Sequence, residues 1–316
     1  MISYIIRRCL MAIPLLFGIT VLSFAIIQMA PGGPTSLMMD PNISKEDMKK
    51  FEERYGLNDP IHEQYFTWVS NMAKGDFGES LIRRGVPVSE MIMNRLPNTL
   101  LLMIVSTVLA VIVAIPFGVI SARKQYSLTD YTVTVTSFLG LATPNFWIGL
   151  VLIMVFAVQL QWLPTGGVAT LNADFSILDR IHHLIMPAFV LATADMAGLT
   201  RYTRSSMLEV LKQDYMRTAR AKGLKENKVT YKHGLRNGLI PVITIFGLML
   251  PGFIGGSVVV EKIFAWPGIG LLFFDSAFQR DYPVIMALTV ISAVFVVIGN
   301  LVADILYAIF DPRIEY

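Results

Sequence analysis

The amino-acid sequence predicts an all-α protein that crosses a membrane six times. Three observations carry that expectation. Of the 316 residues, 54% are hydrophobic and only 16% charged, whereas soluble domains carry about 25% charged residues. The chain holds apolar, nearly charge-free runs of the roughly 20-residue length that spans the hydrocarbon core. Its basic residues gather in the segments between alternate runs.

The first run extends from Cys9 to about Met29. It follows Arg7 and Arg8, as a signal peptide would, but exceeds the roughly 7–15 residues of a signal's apolar region, so it reads as a retained helix. The second runs from about Thr99 to Ala122, and the third from Tyr131 to about Leu160. The fourth lies between Leu184 and Thr200 and is interrupted only by Asp195. The fifth covers Leu239 to Val260, and the sixth Pro283 to Ala303.

Charge orients these spans. Arg7 and Arg8 precede the first, Arg123 and Lys124 follow the second, and Arg313 lies in the tail. Between the fourth and fifth, residues 201–236 hold ten Lys/Arg against three acids, Glu209, Asp214 and Glu226. Short basic loops stay in the cytoplasm, so both termini and this segment are expected there. Residues 30–98 hold eight basic residues against ten acids and exceed the roughly 60-residue length within which loop charge sets topology. They read as a small folded extracytoplasmic region. Its stretch "SKEDMKKFEERYGL" is helix-like, with a possible capping box at Ser44 and Asp47.

Several chemistries find no residues to support them. No GxxxxGK[ST] phosphate loop occurs, so the chain is not expected to hydrolyse ATP by itself. HExxH is absent, and His182–His183 reads as lacking a carboxylate at metal-ligand spacing, so no metal is expected. The single cysteine, Cys9, excludes an internal disulfide framework. "GDFG" at residues 75–78 mimics a kinase motif without the glycine-rich or catalytic loops that would give it meaning. The net charge is only +3, and no nucleic acid is expected as a partner. A channel or secondary transporter would call for internal repeats and paired intramembrane charges; Asp195 is the one ionisable residue well inside a span.

Two features inside the spans suggest a solute pathway. Asp195 either pairs locally, with Arg201 six residues on, or contacts a partner subunit, or faces the pathway. The glycines and prolines of "GLMLPGFIGGS", including Gly247, Pro251 and Gly252, either allow close helix packing or kink a helix that lines a cavity.

The segment "DYMRTARAKG", Asp214 to Gly223, sets basic side chains and a glycine in the cytoplasmic loop. It reads as helix, break, helix. Leu208, Leu211 and Tyr215 recur at helical spacing, and Gly223 suits a left-handed residue after a helix end. Periodicity leaves two roles open: lying on anionic lipid or docking a soluble partner.

This segment resembles the cytoplasmic loop of binding-protein-dependent ABC importer permeases, whose general pattern is E-A-A-x-x-x-G, nine residues, then I-x-L-P. Gly223, Ala219 and Leu235 match, while Arg217, Thr218, His233 and Arg236 depart. The departures are similar to the variant of the dipeptide, oligopeptide and nickel branch, D-Y-x-R-T-A-R-A-K-G-L, then H-x-L-R-N and P-V-x-T. The resemblance continues in order through "YIIRRCLMAIPLLFGIT", "RYGLNDPIHEQYFTWVSNMAKGDFGES", "RLPNTLLL", "PNFWIGLVLIMVF", "QWLPTGG", "EKIFAWPGIGLL", "RDYPVIMALTV" and "NLVADILYAIFDPRIEY".

That resemblance implies a type I permease core of five helices (spans two to six), with an extra N-terminal helix and an outer domain. The boundaries become residues 1–30 for the N-terminal helix, 31–95 for the extracytoplasmic segment, 96–307 for the permease domain and 308–316 for the tail. It implies a coupling loop over 206–238, in which Met216, Arg217, Thr218, Ala219, Arg220, Ala221, Lys222, Gly223 and Leu224 meet an ATPase subunit. It further implies a second, related permease, two ATPase subunits that bind the ATP and Mg, an extracytoplasmic solute-binding protein, and the plasma membrane of a prokaryote. Peptides are the expected solute, with nickel or another small solute the alternative.

Overall fold

In the computed structural model, residues 2–29, 58–83, 85–239, 242 and 252–310 are described. They form helices joined by turns, with no strand among them beyond an isolated pairing of Glu79 with Pro87. Among the described residues, four helices are long and apolar enough to cross a membrane: Ile6–Ile26, Val88–Arg123, Ile177–Val210 and Tyr282–Ile305. A bent pair, Leu128–Ala142 and Asn145–Gln159, makes a fifth span if counted as one. The remaining expected span, Leu239 to Val260, and the capping box at Ser44 and Asp47 lie largely or wholly outside the described residues.

Helix α1 (Ile2–Gln28) is apolar around most of its surface and little covered by protein, as suits a helix solvated by lipid. Arg8 ties it to Asp304 of the last helix at 3.1 Å. Its C-terminal half carries the short helix α2 (Ile61–Ala73): the Tyr65 hydroxyl lies 2.9 Å from Thr20 Oγ1, and Phe24 packs edge-on against the Tyr65 ring. The outer segment then turns through Gly75–Gly78, where Asp76 Oδ1 accepts from the Gly78 N–H at 2.9 Å. The kinase-like tetrapeptide is thus a turn. Past it, buried Asp281 accepts from the Ser80 hydroxyl and from the Leu81 N–H, fastening the outer segment to the last helix.

The centre of the fold is the pairing of α3 (Val88–Arg123) with α6 (Ile177–Val210). Ser106, Ala110, Ala114, Gly118 and Ala122 recur every fourth residue and are all buried, forming a stripe of small residues that lets two helices approach closely. At Gly118 the approach is tightest: a Cβ there would stand 2.5 Å from Thr203 Cβ and 2.9 Å from the Thr200 carbonyl oxygen.

The third expected span is not one straight helix. Helix α4 (Leu128–Ala142) and α5 (Asn145–Leu152, running into a π-helical turn, Ile153–Gln159) meet at 104°. Pro144 explains the break. It has no N–H to give the ladder, and it forces Thr143 into extended backbone, φ −89° and ψ 125°. Helices α9 (Gly252–Ile263), α10 (Ile269–Gln279) and α11 (Tyr282–Phe310) complete the described fold.

Sidedness can be checked directly. In a Cys9→Ser background, a cysteine at exposed Lys74 should react with an impermeant thiol reagent added outside, and one at exposed Lys225 should not. Labelling of both from one side would defeat the six-span topology.

Candidate functional site

The basic loop folds back on itself. Helix α6 ends at Val210, a turn over residues 211–213 follows, and α7 (Asp214–Ala221) runs to the break at Gly223. Beyond it lie α8 (Glu226–Lys228) and a π-helical turn, Val229–Gly234. Tyr215 therefore belongs to a different helix from Leu208, not to one continuous face. Its hydroxyl accepts from Asn237 Nδ2 at 3.0 Å, linking α7 to the returning chain.

One face of α7 is internal. Met216 is fully buried and Ala219 nearly so, both against Val229, with Leu211 and Leu224 alongside. Of the residues from Met216 to Leu224, Met216, Ala219 and half-buried Leu224 pack inside this chain. Asp214, Arg217, Thr218 and Ala221 recur at helical spacing on the outer face, and Lys222 and Gly223 are exposed beside them.

Arg220 lies at the flank. It donates from Nε at 3.1 Å and from Nη2 at 3.0 Å to the two carboxylate oxygens of Glu226. That fork raises the Arg220 pKa and lowers that of Glu226, in each case chiefly through the side-chain hydrogen bonds. Both side chains are about half exposed, so the pair adds little stability; its effect is to fix the angle between α7 and α8. Gly223 makes the turn possible at φ +76°, a left-handed conformation costly to other residues.

A second polar cluster, which no local pattern announces, joins this loop to the spans. Asp130, in the first turn of α4, is buried. Its oxygens accept from Arg204 Nε at 2.6 Å, Arg204 Nη2 at 2.8 Å, the Tyr126 N–H at 2.9 Å and the Ser121 hydroxyl. The node locks the short turn between α3 and α4 to α6, whose end leads into α7. Arg123 lies 6.0 Å over the Tyr231 ring, a second link between α3 and the loop.

The bend between α4 and α5 opens a cavity of about 410 Å³ walled by α3, α4, α5 and α6, including Phe117, Gly140, Trp147 and Phe189. Ser137, Thr143, Thr193 and Thr200 line it too, but their hydroxyls donate back to carbonyls of their own helices. The wall is accordingly apolar.

Asp195 is half-buried on α6 and has no hydrogen-bond or ion-pair partner among the described residues. Its expected pairing with Arg201 is absent: six residues along a helix is a turn of roughly 240°, which puts the two on different faces. Arg201 instead sits 4.9 Å over the Phe138 ring. Gly247 and Pro251 lie outside the described residues, and Gly252 is the first residue of α9.

Two further polar groups escaped the sequence reading. Glu261, fully buried on α9, accepts from Thr99 Oγ1 and from the Leu271 N–H, each at 2.8 Å, while Trp266 Nε1 donates to the Asn98 carbonyl at 3.0 Å. "RLPNTLLL" and "EKIFAWPGIGLL" are thus two halves of one hydrogen-bonded scaffold. A glutamate immediately after an apolar run and before a Trp-Pro-Gly turn was the signal available. In the first turn of α6, Asp179 stands 3.5 Å from His183 Nδ1 and four residues before it, so the histidine pair does have a carboxylate neighbour. No group of three metal-ligating side chains occurs among the described residues.

An apolar helical frame of four or five candidate spans, with a basic loop backed by its own small core, defines a multi-pass membrane component. Residues 114–316 match the family described as "Binding-protein-dependent transport system inner membrane component", and residues 1–104 match "Binding-prot-dependent transport system membrane comp, N-term". The chain belongs to this family and is a multi-pass membrane protein. It is 72% identical over 316 residues to the oligopeptide transport system permease protein AppB of Bacillus subtilis, with 100% of both chains covered. It is 42% identical to the di/tripeptide transport system permease protein DppB of Pseudomonas aeruginosa, covering 100% of this chain and 99% of that protein. The glutathione transport system permease protein GsiC of Escherichia coli K12 is also 42% identical, over the whole of both chains.

Proposed function

We propose that this chain is one of two permease subunits of a peptide importer, forming half of the pathway through a prokaryotic plasma membrane with both termini in the cytoplasm. The observation that carries this is the 72% identity, end to end, with an oligopeptide permease; the di/tripeptide and glutathione relatives agree on peptide-like solutes. A second permease, two ATPase subunits that bind ATP and Mg, and an extracytoplasmic solute-binding protein complete the machine. The chain itself performs no hydrolysis, a reading supported by the missing phosphate loop.

In this reading α7 seats in a groove of one ATPase subunit. Its outer face, Arg217, Thr218, Ala221 and Lys222, supplies the contact, and buried Met216 and Ala219 hold the helix rigid enough to transmit force. The Asp130–Arg204 node carries that force to the foot of the bent span. Reconstituted with its partners in vesicles, the chain should support ATP-dependent uptake of a labelled peptide delivered by the binding protein. The purified, ATPase-free subunit should hydrolyse no ATP. Uptake of nickel but not of peptides by the complex, or hydrolysis by the isolated subunit, would overturn the reading.

A further inference from the structure

We infer that Arg201, which follows Thr200 of the cavity wall on α6, receives the C-terminal carboxylate of the passing peptide; this rests on the peptide-importer reading above. The cavity, about 410 Å³, is within the size range of sites for small ligands. Its wall offers methyls and aromatic rings but few free polar groups, so it suits apolar side chains and leaves the charge of a solute to be met elsewhere. Arg201 meets it. Thr200 and Ser137, the chain neighbours of Arg201 and Phe138, are in the cavity wall, and the guanidinium stacks on Phe138 at 4.9 Å. The Arg201 side chain is exposed and has no acidic partner among the described residues.

The direction of the side chain separates a solute from a lipid. Arg204, one turn closer to the cytoplasm on α6, is held by Asp130 at the first turn of α4. Phe138 lies two turns further along α4, about 12 Å deeper at 1.5 Å per residue. A basic side chain near a helix end ordinarily bends toward the headgroups. Arg201 reaches instead to Phe138, further along α4 than the Asp130 that holds Arg204. An unpaired cation held there by an aromatic face marks a place where an anion arrives. In a peptide the group present whatever the sequence is the terminal carboxylate, and a guanidinium fork fits it bidentately.

The test uses the whole importer in vesicles of zwitterionic lipid, with a labelled peptide and its C-terminal amide as probes. Each is delivered by the same binding protein to the wild type, Arg201→Gln and Arg201→Lys, so any preference of the binding protein cancels in the ratio between variants. Arg201→Gln should cut uptake of the free acid about tenfold or more, the loss expected for one charge-assisted hydrogen-bonded contact. Uptake of the amide should change less than about twofold, and Arg201→Lys should be intermediate. If the amide is delivered too slowly to follow, a photoreactive benzoylphenylalanine at Phe138 decides. It should label the acid peptide during turnover, and lose that labelling in Arg201→Gln. Equal losses for acid and amide, labelling that survives Arg201→Gln, or labelling of the second permease or of phospholipid in place of peptide would overturn the assignment. Failure of the wild type to take up any peptide would instead sink the importer reading itself.

Discussion

Asp130→Ala is expected to destabilise the subunit by about 3–5 kcal/mol, the cost of removing one partner of a buried ion pair. The carboxylate satisfies four donors at once: two from Arg204, the Tyr126 N–H and the Ser121 hydroxyl. Alanine leaves the Arg204 guanidinium, itself largely buried, without its counter-ion, and releases the turn between α3 and α4. The remedy follows from the same argument. Asp130→Ala combined with Arg204→Leu removes both charges and should regain part of the loss, since no orphan charge remains. Thermal denaturation of the detergent-solubilised importer, read by size-exclusion chromatography of the fluorescently tagged subunit, would register the difference. A loss below about 1 kcal/mol for Asp130→Ala, or a double variant worse than the single, would mean that the pair does not hold the foot of the spans together.

The second large effect concerns coupling rather than stability. Gly223→Ala and Arg220→Lys should leave the subunit inserted at normal levels yet impair co-purification of the ATPases or abolish solute-stimulated hydrolysis. At Gly223 no described residue lies within 4 Å of a would-be Cβ, so the methyl meets no wall among them. The penalty is the backbone's: at φ +76° an alanine costs about 1 kcal/mol or more, relieved by opening the turn and swinging α7 off its angle. Arg220→Lys acts on the same angle from the other side, because an ammonium cannot reproduce the two-pronged contact with Glu226. Were the loop merely resting on anionic lipid, each basic residue would contribute about 1 kcal/mol independently of shape, and both variants, which keep the charge, would be silent. Wild-type assembly with wild-type stimulation in both would remove α7 from the coupling role.

Much of this protein could be read residue by residue, because the bilayer acts on the sequence that way. Hydrocarbon selects apolar runs by their length, and membrane insertion sorts short loops by lysine and arginine count. Neither depends on which helix packs on which. Gly223 was legible for a similar reason: its left-handed backbone is a local requirement, met by a local choice of residue.

What escaped the sequence depends on partners far along the chain. Asp130 looks like any residue in a helix's first turn until α6 brings Arg204 to it, 74 positions away. Glu261 reads as the end of a span until Thr99, 162 positions earlier, donates to it. Met216 sits in a polar stretch as if exposed, and only the return of the chain through Val229 and Gly234 encloses it. The pairing of Asp195 with Arg201 was attractive on sequence distance and failed on rotation around the helix axis. Tertiary structure alone set Arg201 over the Phe138 ring. Hydropathy and charge say where a residue lies along the membrane normal; which side chains face one another within that layer is fixed only by helix packing, through contacts that no local pattern encodes.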